Sequence, residues 1–207
     1  MPERGVEPTP LAPRRRLTST QIVAAASELF ARDGFHAVGM RDIADALGVR
    51  GASLYHHYGS KEEILFAVCL TVTAEPVEQT LPLLDTPGTP ASRLAALVRA
   101  HLAHLASRRV EYVVGLHELS ALTAEHRAVV EDHRRYYHRR VRDVVAAGVR
   151  AGEFTVPDPR LAAFALLDTL NGIAGWFRPG GPLDLDAVAD GYVALLIDGM
   201  LGTDGWG

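Results

Sequence analysis

Residues 40–59 read MRDIADALGVRGASLYHHYG, and this stretch decides the fold. Ile43, Ala44 and Leu47 lie at i, i+1 and i+4, the narrow apolar stripe of a short helix. Gly48 can then take the positive φ that ends a helix. Val49 follows, able to plug the corner of a tight turn. A second short helix over residues 51–58 turns Leu54 inward and leaves Ser53, Tyr55, His56 and His57 free. Two helices joined by a turn of three or four residues form a helix-turn-helix, with the second as the reading helix.

The chemistry of that helix suits a DNA groove. Gly51 and Ala52 let backbone approach base edges, and Arg50 can reach a guanine edge or a phosphate. Tyr55, His56 and His57 carry donors long enough for the sugar-phosphate strand. Beyond them, Ser60 and Glu63 read as a capping box opening the next helix, whose first residue, Lys61, is expected to clamp a phosphate. The bland alternative is a solvated helical hairpin that binds nothing.

Against that alternative stands a long resemblance. From Thr18 to Val68 the chain resembles the DNA-binding domain of TetR-type transcriptional repressors. The matching residues are Thr18, Ala24, Ala25, Leu29, Phe30, Gly34, Phe35, Met40, Arg41, Asp42, Ile43, Ala44, Gly48, Val49, Ser53, Leu54, Tyr55, His57, Tyr58, Lys61 and Glu62. Three positions depart from that pattern: Arg50 stands where Ser or Thr is common, Gly51 where Lys is frequent and Ala52 where Gly is frequent. The resemblance implies a homodimer on an inverted-repeat operator, with Thr18 and Arg41 joining Arg50, Gly51, Ala52, Ser53, Tyr55, His56, His57 and Lys61 at the double-stranded DNA. It also implies a ligand-gated repressor whose second domain varies with its effector.

Composition agrees with a site-specific binder. The 207-residue chain carries a formal net charge of −4, yet residues 11–61 hold seven basic against four acidic side chains, a local +3. The single cysteine, Cys69, cannot form an internal disulfide and fits a reducing cytoplasm. No signal peptide and no apolar run of membrane-spanning length is apparent, so a soluble cytoplasmic protein without membrane contact is expected.

Outward from the motif the chain reads as all α, about nine helices. Residues 1–16, with four prolines and Arg14-Arg15-Arg16, read as a disordered basic arm. Residues 17–77 are expected to form the DNA-binding domain and 78–207 a ligand-binding and dimerisation domain. Thr18 and Gln21 make a capping box for helix 1, whose inward stripe is Ile22, Ala25, Leu29 and Phe30 and which stops at Gly34. Helix 4 runs from Lys61 towards Leu81 and is bent or shortened by Pro76. Thr89-Pro90 opens a helix through about Arg108, and a shorter one spans residues 111–122. A long helix to Ala151 follows, with Val130, Tyr137, Val141 and Val144 inward and Arg134, Arg135, Arg139, Arg140 and Arg142 forming a solvated face. Residues 160–177 are apolar nearly all round, so that helix is buried on more than one side. The last helix, residues 184–201, presents Ala187, Gly191, Ala194 and Leu195 for close helix approach. With residues 160–177 it is expected to build a four-helix dimer interface.

No catalytic constellation appears: no G-x-S-x-G, H-E-x-x-H, C-x-x-C or phosphate-binding glycine loop. An enzyme is not expected, nor a cofactor. His101, His104, His117 and Glu118 could in principle meet at a metal, but ordinary pocket lining or surface positions are the simpler reading. The stretch from Gly152-Glu153-Phe154 to Trp176-Phe177-Arg178-Pro179-Gly180-Gly181-Pro182-Leu183 resembles TetR-type regulators of lipid and sterol breakdown, which implies an acyl-CoA effector. A drug-efflux repressor sensing lipophilic drugs is the alternative. The expected pocket residues are His104, Tyr112, His117, Asn171 and Trp176, with Arg178 holding a CoA phosphate. Asn171, an amide in a run of leucines, must find a partner.

Overall fold

The computed structural model describes residues 17–202; the expected basic arm and Trp206 lie outside them. Among the described residues the chain is all α, without strands. Helix α1 (Ser19–Asp33) starts at a reciprocal cap, the Thr18 hydroxyl accepting from the Gln21 amide at 3.3 Å and Gln21 Oε1 from the Thr18 amide at 3.1 Å. Its buried face is Ile22, Val23, Ala26, Ser27, Leu29 and Phe30, so the stripe is rotated from the expected one and Ala25 is only half-buried. Helix α2 (Met40–Ala46) is capped from the inside, the Asp42 carboxylate accepting from the Gly39 amide at 2.8 Å. Gly48, at φ 65°, turns the chain into α3 (Gly51–Tyr55). Helix α3 is one turn shorter than the sequence suggests, and only Leu54 of it is buried.

Helix α4 (Lys61–Gln79) leaves the motif and organises everything after it. Its start is capped by Ser60 Oγ, which accepts from the Glu63 amide at 3.1 Å. The Glu63 carboxylate reaches back to Gly59, one residue short of a full capping box. Ile64, Leu65, Val68 and Cys69 enter one apolar core with α1, α2 and Leu54; Val72 enters the second core, built on α5 (Pro90–Ser107), α7 (Ala124–Ala151) and α8 (Pro159–Trp176). Three residues from beyond the motif, Val114, Leu122 and Val130, complete the first core. Pro76 sits inside α4 rather than ending it. Being shared by two cores makes α4 apolar on most sides, so residues 61–85 have the length and mean hydropathy (1.3) of a membrane-crossing segment, against the expectation. Half of that window is buried in the protein, as in the core helix of a water-soluble fold.

Helix α6 (Arg109–His117) crosses α4 closely because Gly115 has no side chain: a Cβ there would meet Val72 Cγ2 at 2.7 Å and the Cys69 Cα at 3.5 Å. A second tie joins α4 to the start of α7. Glu62 accepts from the Thr123 amide at 2.8 Å and from His126 Nδ1 at 3.0 Å, while the His126 ring stacks on Phe66 at 3.9 Å. Partial burial acts to raise the Glu62 carboxyl, but these donors outweigh it and hold it below the ordinary range. Helix α9 (Leu185–Val193) continues as wider π-type turns over Ala194–Met200 instead of running as one regular helix to 201.

The close crossing gives a direct test. Gly115→Val should lower the denaturant midpoint by the equivalent of roughly 1–3 kcal/mol, with Gly115→Ala intermediate. An unchanged midpoint for the valine variant would mean that α6 does not rest on α4 as described.

Candidate functional site

The surface of the helix-turn-helix is open. Arg41, Arg50, Ala52, Ser53, Tyr55, His56 and His57 are exposed, as is Thr18 at the start of α1; Gly51 is half-buried. Arg50 forms no ion pair among the described residues, whereas Arg41 lies 3.8 Å from Asp45. One expected contact is corrected. Lys61 does not present a free ammonium, because its Nζ donates to the carbonyls of Phe35 (2.8 Å), His36 (3.3 Å) and Val38 (2.7 Å) and sits 4.4 Å from the Phe35 ring centroid. An ammonium has three N–H donors, and three carbonyls take them. Lys61 braces the loop between α1 and α2 against α4, and has no donor left for a phosphate.

The second feature is a cavity of about 410 Å³ walled by α4, α5, α7 and α8. Val72, Pro76, Leu116, Phe164 and Leu167 make most of its wall apolar. Its rim is charged in one sense: Arg134, Arg135, Arg139, Arg142 and Arg160 against the single carboxylate of Asp168. Arg135 and Arg142 are paired with neighbouring carboxylates, whereas Arg134, Arg139 and Arg160 have none among the described residues. The arginine run of α7 is therefore not merely a solvated face. Helical period marks which side avoids the core, but not that a neighbouring helix stands off there and leaves a cavity.

Of the expected pocket residues, Asn171 alone lines this cavity. Its partner is His101, at 3.3 Å, and His101 in turn contacts Tyr137 Oη at 3.2 Å. His104 and Tyr112 are buried in a separate pair, 3.1 Å apart, with His104 also 3.1 Å from Glu75. Neither lines the cavity, although His101 and Tyr137, also buried, do. His117 is exposed at the end of α6. Trp176 is 45% exposed and packs edge-on to Phe177 on the outer side of α8, so it does not report on the cavity. Arg178 folds back onto the carbonyls of Gly175 and Phe177, and the cavity rim is built by α7 arginines instead. His101, Tyr137, His138 and the arginines also line the cavity, and the sequence alone does not place them there. A basic run beside two histidines on one helix was the available signal.

Two family models match the chain. The model for bacterial regulatory proteins of the tetR family covers residues 22–68, and that for the tetracyclin repressor-like C-terminal domain covers residues 87–200. The HTH-type transcriptional repressor KstR2 of Rhodococcus jostii (strain RHA1) is 32% identical over 187 residues, spanning 87% of this chain and 90% of that protein. The structure of the ketosteroid transcriptional regulator KstR2 of Mycobacterium tuberculosis superimposes with a TM-score of 0.83 at 26% identity, covering 94% of this chain and 100% of that one. AibR, solved in complex with isovaleryl coenzyme A and operator DNA, superimposes with a TM-score of 0.75 at 31% identity over 86% of this chain and 97% of its own.

Burial pushes the His101 imidazole from 6.5 down to about 4. An unfolded chain takes up a proton near pH 6.5 that folded His101 refuses, so this contribution to stability is whole above that pH and is lost progressively on acidification towards pH 4. Urea midpoints compared at about pH 7 and about pH 4.5 should fall further for the wild type than for His101→Gln, with a difference on the order of 3 kcal/mol at most. An equal fall in both proteins would remove His101 as a source of acid sensitivity.

Proposed function

As a member of the tetR family of bacterial regulatory proteins this chain is a ligand-responsive DNA-binding repressor, and we propose that it acts as a homodimer released from an inverted-repeat operator by an acyl-CoA thioester. The observation that carries the effector reading is the cavity: an apolar wall under a rim of five arginines. An acyl chain needs the first and the phosphates of a CoA group need the second, since guanidinium binds phosphate through paired charge-assisted hydrogen bonds. Lipophilic drugs, the alternative, have no phosphates for that rim, and cationic ones would meet like charge there. AibR, with its isovaleryl coenzyme A, supports the same reading by similarity. The protein is then cytoplasmic, where CoA esters and DNA are both present.

The dimer reading rests on a second surface. Helix α8 leaves Leu161, Phe164 and Trp176 exposed, and the last helix leaves Leu195 68% exposed. Gly172, Gly175 and Gly191 have open space where a Cβ would stand, so a second backbone can come close. An apolar strip of this kind fits a two-fold partner. In the dimer, Ser53 and Tyr55 of each α3, with Arg50, His56 and His57 flanking it, would face successive major grooves roughly 34–36 Å apart.

Two measurements test these readings. Replacing Arg139 and Arg160 together with alanine should weaken a CoA ester at least roughly tenfold while leaving operator affinity without ligand unchanged. Unaltered affinity for the ester in that variant would sink the CoA assignment. Leu195→Glu should convert a sedimenting dimer into a monomer and abolish operator binding. A wild type that sediments as a monomer at micromolar concentration would rule the dimer out.

A further inference from the structure

Polar groups in the cavity wall, with Thr80 behind it, form a chain whose hydrogen-bond direction can be worked out. It runs from the Pro76 carbonyl to Thr80 Oγ1 (2.7 Å), Tyr137 Oη (2.9 Å), His101 Nδ1 (3.2 Å) and, through His101 Nε2, the Asn171 amide (3.3 Å). The first member can only accept. Thr80 therefore gives its one hydrogen to Pro76 and offers Tyr137 lone pairs alone. Tyr137, whose phenol burial keeps protonated, gives its hydrogen to Thr80. The phenol oxygen must then receive from His101, so the neutral imidazole carries its proton on Nδ1 and leaves Nε2 as a bare acceptor. Asn171 must meet that nitrogen with its NH₂ end, which a half-turn of the amide places there.

The opposite direction satisfies one bond fewer. With the proton on Nε2, Tyr137 would donate to His101 and Thr80 to Tyr137. The Thr80 and Pro76 oxygens would then face each other at 2.7 Å with no hydrogen between them. The chain thus runs towards Pro76 and leaves the Asn171 carbonyl as the group with spare hydrogen-bonding capacity at the cavity wall. Thr73 repeats the result independently. Its hydroxyl hydrogen goes to the Cys69 carbonyl at 2.8 Å, so it too turns only lone pairs to the cavity it lines. His138, whose buried Nε2 has no partner among the described residues, is fixed in neither tautomer by that nitrogen.

We infer that the cavity selects an effector whose apolar portion carries a hydroxyl group, its hydrogen received by Thr73 or Asn171, over the corresponding ketone. This rests on the cavity being the effector pocket, but not on the effector being a CoA ester. A hydroxyl supplies a hydrogen to one of these acceptors; a carbonyl would set oxygen against oxygen and pair neither.

Binding of cyclododecanol and cyclododecanone to the full-length protein, measured by calorimetry, separates the outcomes. The alcohol should bind roughly tenfold tighter than the ketone. Thr73→Val, close to isosteric, should cut that preference severalfold without weakening the ketone, and Asn171→Leu should do the same if it folds. Equal or tighter binding of the ketone overturns the inference while leaving the effector pocket standing. Failure of both probes to bind removes the pocket reading and the inference together. Independently of any ligand, the imidazole ¹⁵N resonances of His101 should show the proton on Nδ1; a proton on Nε2 overturns the hydrogen-bond direction and with it the inference.

Discussion

Helix α4 must satisfy two apolar cores at once, and the rest of the structure is arranged around that demand. Its first half closes the helix-turn-helix through Ile64, Leu65, Val68 and Cys69, and its second half gives Val72, Thr73 and Pro76 to the cavity wall. Two features make the sharing possible. Gly115 lets α6 rest almost directly on the α4 backbone where one core passes into the other. Pro76, lacking an N–H, leaves the Val72 carbonyl without its usual helical donor just beyond that seam. A change in the cavity wall is therefore a change in the same helix that carries the reading head, and coupling between the two sites needs no longer path than α4.

Charge is divided along the molecule in a way that net charge conceals. A chain of −4 concentrates basic side chains at two places, the open face of the helix-turn-helix and the rim of the cavity. Several arginines elsewhere are paired locally: Arg99 with Asp190 at 2.8 Å, Arg140 with Asp85 at 2.7 Å, Arg32 with Asp33 at 2.6 Å. These exposed pairs contribute little to stability. Arg50 at one site, and Arg134, Arg139 and Arg160 at the other, stand as guanidiniums without a carboxylate among the described residues, as Arg127 and Arg150 do elsewhere.

What was legible in the sequence was local. The Thr18–Gln21 cap, the stop at Gly34, the turn at Gly48, and the Thr89-Pro90 start all depend on residues within one helical turn, and each stands where the sequence places it. The buried faces of α5 and α7 followed from periodicity, because each of these two helices keeps a polar side away from the core. The misreadings share the opposite property. Lys61, Trp176 and Arg178 carry ordinary functional groups, and what they do depends on carbonyls or open surface that no spacing rule locates. Asn171 was rightly marked as needing a partner, but that the partner is His101 depends on how α5 packs against α8. The π-type turns at the end of the last helix have no visible cause in the residue types there.

The first core draws Val114, Leu122 and Val130 from α6, the segment after it, and α7, so the reading head is finished by residues far along the chain from it. Modularity is correspondingly limited. A head transplanted by cutting within α4 arrives with Ile22, Leu65 and Cys69 facing water on the side those three residues used to cover, and with Glu62 parted from Thr123 and His126. Grafting this head onto another effector domain means carrying the matching surface of that domain with it, so the unit of exchange is the head together with the rear wall it leans on.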